Sequence, residues 1–132
     1  MPYVIGLVLS LVVAVFANRV GLDRDRAFYP TIVIVVALYY VLFGAMSGSM
    51  PVVVMEVGLM TVFAAAAVVG FRSNSWIVVM ALAGHGLLDL VHGRILDNPG
   101  VPVWWPAFCA SYDIGAAGIL AWMMKGKTHA AR

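Results

Sequence analysis

Three side chains on one apolar run carry the chemistry open to this chain. They are His85, Asp89 and His92, within Ala81-Leu-Ala-Gly-His-Gly-Leu-Leu-Asp-Leu-Val-His-Gly-Arg94. At ~100° per helical residue, positions four and seven after His85 fall within roughly 60° of it, so all three share one face. Imidazole nitrogen combined with carboxylate oxygen is a donor set for zinc, iron or manganese, and a further carboxylate can act as base or orient a ligand. The plainer reading of His85 and Asp89 is a buried pair in which the carboxylate fixes the imidazole tautomer and joins two helices. His92, beside Gly93 and Arg94, also fits a solvated histidine at the end of its helix.

Glu56 and Asp113 are further acidic residues inside apolar runs. If His85, Asp89 and His92 hold a divalent metal, Glu56 or Asp113 completes its sphere or activates water as the catalytic base. Glu56 also suits a proton or cation pathway, and Asp113 could instead pack with Ser111 or Tyr112. An ionisable group in hydrocarbon costs on the order of 2.5 to 3.5 kcal/mol on insertion scales, so each of these groups should face a bundle interior.

The elements that must position them are membrane helices. The 132 residues are 64% hydrophobic and 11% charged, with a mean hydropathy of +1.00, whereas a soluble domain carries roughly 25% charged residues. An all-α integral membrane bundle of five transmembrane helices is predicted, with membrane lipids as its surroundings and no added soluble domain. The formal charge of +2 is spread over loops and tail, which excludes a nucleic-acid-binding patch. The lone Cys109 rules out an intrachain disulfide and reads as small core packing. No phosphate loop or nucleophile-elbow pattern is present.

The apolar runs predict spans over about 3–20, 28–46, 51–71, 76–93 and 104–124. The first run lacks a basic leading region and a small-residue cleavage site, so it is expected to stay in the mature protein. Leu22-Asp-Arg-Asp-Arg-Ala27 reads as a solvated loop with local ion pairs. Pro51 should open the third span, and Ser73 or Ser75 should cap the fourth. Asp97-Asn-Pro-Gly100 is a turn signal, and Trp104 and Trp105 read as interface anchors. Gly/Ala-rich surfaces such as Ala64–Ala67 with Gly70 allow close helix approach and a homodimer.

Alternating loops put Arg19, Arg24, Arg26, Arg72, Lys125, Lys127 and Arg132 on one side and only Arg94 on the other. The positive-inside rule then sets the amino terminus outside and the carboxyl terminus in the cytoplasm. At ~1.5 Å per residue, Glu56 lies about 7 to 8 Å from the outer start of its span, and Asp89 and His85 roughly 6 and 12 Å from the outer end of theirs. Asp113 lies about 13 to 14 Å into the fifth span, and His92 close to the outer surface. Matching depth predicts convergence in a polar cavity open to the outer side.

Gly84-His85-Gly86-Leu87-Leu88-Asp89 resembles the His-Gly-x-x-Asp segment of bacterial and archaeal membrane beta-carotene dioxygenases. The resemblance implies that His85 is an iron ligand and Asp89 its supporting carboxylate. It covers six residues of a much longer family chain that has several histidine ligands, whereas only His85 and His92 fall inside spans here. More broadly, the chain resembles small uncharacterised bacterial multi-pass membrane proteins, which implies the bacterial cytoplasmic (inner) membrane and no particular activity. The expected function is a metal-dependent membrane enzyme, hydrolase or oxygenase, holding zinc or iron and acting on a lipid or other apolar small molecule. The alternatives are a small proton- or cation-coupled transporter and a non-catalytic lipid-binding or assembly subunit.

Overall fold

The computed structural model describes residues 1–130; of the predicted basic tail, Arg132 lies outside the described residues. Five helices follow one another: α1 (Pro2–Val20), α2 (Phe28–Met46), α3 (Met50–Arg72), α4 (Ser75–Ile95) and α5 (Trp105–Ala130). Each is long and apolar enough to cross a membrane, and the described residues contain no strand. Their bounds follow the sequence punctuation. Gly21 ends α1 in the left-handed conformation, and proline opens α1 and α3, where a missing N–H costs nothing. Neither Ser73 nor Ser75 caps α4. Asn74 does, its side-chain oxygen accepting from the Trp76 N–H at 3.0 Å, while Ser73 Oγ turns back to the Val69 carbonyl.

Packing runs α1 on α5, α5 on α4, α4 on α3 and α3 on α2, with α2 also touching α4. The central α4 therefore meets three neighbours. Between α2, α3, α4 and α5 the interior includes Val33, Phe43, Val78, Leu82 and Leu120, whereas at the α1/α5 crossing it is made of small or polar groups. On α1 the buried residues are Gly6, Ser10 and Ala17, while Tyr3, Ile5, Leu7, Val12 and Phe16 point outward. A Cβ on Gly6 would collide with the Phe108 carbonyl oxygen and Ser111 Oγ, and one on Gly115 with Ser10 Oγ. This α1/α5 seam thus depends on absent side chains. A helix on the surface of a water-soluble bundle has the reverse arrangement to α1, with its large apolar side chains inside.

The α1–α2 connection is less solvated than expected. Asp23 is buried and accepts from Asn18 Nδ2 at 3.3 Å, and Arg26 donates to the Gly70 carbonyl at the end of α3. The loop charges thus tie three helix ends together. In the α4–α5 loop the turn falls one residue later than predicted, closed by Val101 N–H to the Asn98 carbonyl at 3.1 Å. Asn98 then occupies the first position before Pro99, and its side chain points inward.

Candidate metal centre

One face of α4 buries His85, Asp89 and His92, each 2% exposed. That face meets a different helix at each level. At the level nearer the start of α4, His85 Nδ1 and Asp113 Oδ2 of α5 share a hydrogen bond of 2.7 Å. Asp89, one turn after His85, places Oδ2 3.6 Å from the same nitrogen, too far for a hydrogen bond. Its other oxygen accepts from the Tyr40 hydroxyl of α2 at 2.6 Å. Cys109, one turn before Asp113, sets Sγ 3.8 Å from Asp113 Oδ2. One ligand atom from each of His85, Asp89, Cys109 and Asp113 lies within 4.8 Å of every other.

Seven residues beyond His85, the same face meets α3. His92 Nε2 lies 2.9 Å from Glu56 Oε1 and 3.2 Å from Oε2. Asn98 completes this second group, its Nδ2 donating to Glu56 Oε1 at 2.8 Å and to the Tyr40 carbonyl at 3.2 Å. Tyr40 belongs to both groups, because its hydroxyl bonds Asp89 while its ring stacks on His92 at 4.1 Å.

The five residues singled out by sequence are therefore all buried and divided into two sets. His85, Asp89 and Asp113 come together, and His92 and Glu56 form a separate pair about 10 Å further along α4. His92 is not a solvated end residue. Asp113 pairs with neither Ser111 nor Tyr112, since Ser111 Oγ turns back to the Phe108 carbonyl. Three participants escaped the sequence reading: Tyr40, Asn98 and Cys109. For Cys109 the signal was its four-residue spacing from Asp113, which puts both on one face of α5.

The predicted open polar cavity is absent from the described residues. Beside His85, His92 and Glu56 the free space is about 10 Å³, walled by Leu59, Met60, Phe63 and Leu88, at or below the lower bound for one water. Phe63 sets its ring edge-on to His85 at 4.8 Å.

Two features of the His85, Asp89 and Asp113 group fit a cation. Asp89 Oδ2 and Asp113 Oδ1 are buried with no hydrogen-bond partner, although nearly all buried polar atoms have one and an orphan costs about 1–3 kcal/mol. The cationic side chains found within 4 Å of these carboxylates are histidines alone among the described residues. A metal takes its histidine neutral and its carboxylates ionised, and in that form the group would carry the charge that one divalent ion cancels. Donors around a tetrahedral ion stand roughly 3.3 to 3.8 Å apart for metal–ligand bonds of 2.0 to 2.3 Å. The 3.6 and 3.8 Å separations already match, the 2.7 Å His85–Asp113 contact must open by under ~1 Å, and any separation near the 4.8 Å limit of the group must close by about as much.

Compared with protein-family models, curated proteins and solved structures, the chain matches none.

Proposed function

We propose that the chain is a multi-pass protein of a bacterial cytoplasmic membrane, amino terminus outside, whose helices hold a divalent transition metal between His85, Asp89 and Asp113. The observation that carries this reading is the pair of orphaned carboxylate oxygens beside a histidine, deep among apolar helices. The outward-facing valine, leucine and phenylalanine side chains of α1 and α3 support insertion in lipid. The seven-to-one division of basic residues supports the orientation.

A metal at this position supplies Lewis acidity or redox chemistry according to its identity, zinc for hydrolysis and iron for oxidation. The protein's share is to hold the ligands in a water-poor setting. Tyr40 fixes Asp89, Phe63 packs edge-on against the His85 ring, and Leu88 walls the same side. An apolar substrate is favoured by a groove of about 370 Å³ between α1, α2 and α5, walled by residues that include Val35, Tyr39, Phe108 and Cys109. It brings hydrocarbon against the residue that touches Asp113.

Elemental mass spectrometry on protein purified without chelators tests the centre. The expected result is close to one zinc or iron per chain in the wild type and at least a tenfold loss in Asp113→Asn. Equal trace content in both, after incubation with either ion, would sink the proposal.

A second reading is favoured by one observation, the doubled His–carboxylate arrangement with Tyr40 between. Two such pairs along one helix face suit a proton-conducting route better than a lone metal site does. Proton flux into liposomes that disappears in Glu56→Gln is the expected result on that reading, and absence of flux under any imposed gradient would discard it.

A further inference from the structure

Cys109 is the residue the catalytic reading leaves unused, although its sulfur lies against the same carboxylate as His85. It is 1% exposed and has no disulfide partner. Four donors, one nitrogen, two carboxylates and one sulfur from α4 and α5, lie within 4.8 Å of one another, and the two carboxylates are those with the orphaned Asp89 Oδ2 and Asp113 Oδ1. Both helices contribute their ligands one turn apart, His85 with Asp89 and Cys109 with Asp113. The two i, i+4 pairs face each other across the helix crossing where Gly86 lets α5 approach. A Cβ there already stands 3.0 Å from the Ala110 carbonyl oxygen.

We propose that Cys109 Sγ is the fourth ligand, making a closed four-donor site that takes zinc in preference to magnesium, calcium or manganese. This rests on the metal-binding part of the reading given above and replaces its catalytic part: a zinc ion closed in by four protein donors clamps α4 to α5 and keeps no open position for substrate. A thiolate is a soft donor that binds zinc strongly and gives little to hard cations, for which a site of carboxylates alone would serve. Four protein donors complete a tetrahedral shell, and all four side chains are 2% exposed or less. On binding, the sulfur exchanges its proton for the ion and the proton passes to solvent.

Cobalt(II) is the probe, because it occupies zinc sites and reports its donors in its absorption spectrum. Detergent-purified full-length protein is loaded with cobalt(II). Expected are the intense visible bands of tetrahedral cobalt together with a near-ultraviolet sulfur-to-cobalt charge-transfer band. In Cys109→Ser the charge-transfer band should vanish while visible bands remain, and competition by zinc should weaken by about tenfold or more. Visible bands without the charge-transfer band in the wild type would overturn the sulfur ligand and leave the metal reading standing. No cobalt spectrum and no zinc uptake would overturn both. Should Cys109→Ser fail to fold, the wild-type charge-transfer band decides alone.

Discussion

Replacing His85 by leucine is expected to cost about 3–5 kcal/mol of stability and to abolish metal binding. The substitution removes the donor from Asp113 Oδ2 and leaves two aspartates in one sealed group with no cationic neighbour. Losing one partner of a buried pair is worse than losing both, because the remaining charge keeps its desolvation penalty. The paired variant His85→Leu/Asp113→Leu should therefore recover most of that stability, Asp89 still being held by Tyr40. It should remain unable to bind metal. Denaturant unfolding in micelles, read beside elemental content, separates the two effects. A paired variant no more stable than His85→Leu would show that the aspartates are not an electrostatic burden on one another.

The second large effect is expected at Gly100, which has no part in the chemistry. A Cβ there would collide with the carbonyl oxygen of Phe43, a backbone atom that cannot swing aside. Gly100→Ala must push the α4–α5 loop outward and draw Asn98 away from Tyr40 and Glu56. Glu56 then loses its amide donor, and the His92 pair opens. Overpacking and the orphaned carboxylate together should lower stability by about 3 kcal/mol. Gly93→Ala is the control, since nothing lies within 4 Å of its added Cβ, and a helical glycine replaced by alanine gains roughly 0.5–1 kcal/mol. Equal melting temperatures for both variants would refute the strap role of the loop.

Much of the fold was legible because apolar runs bounded by proline, glycine and charged turns leave little choice of element. The five predicted spans match the five helices to within a few residues, except that α5 runs on to Ala130. Less legible was the rotation of each helix about its axis, since hydropathy is nearly uniform around a segment as apolar as α2 or α3. The site shows the consequence. Spacing put His85, Asp89 and His92 on one face of α4, but only the lateral order of α3, α4 and α5 decides that His85 meets Asp113 while His92 meets Glu56. Depth arithmetic placed all five residues near one another and could not divide them. Tyr40 was hidden for a different reason: a tyrosine in an apolar run reads as an anchor until a carboxylate is seen 2.6 Å from its hydroxyl. Asn98 was masked by the turn it begins, whose residues all suit a solvated loop.

The seam between α1 and α5 has a consequence for the order in which the molecule assembles. Helix α1 packs on α5 at Gly6 and Ser10, so of the five helices the one made earliest docks on the one made latest. Until α5 emerges, α1 has no seat, and Asp89 and His85 wait without Asp113 or Cys109. The arrival of one helix seats α1 and supplies half the donors in a single event. A chain stalled before Trp105 is accordingly an open set of hairpins that quality-control proteases can recognise.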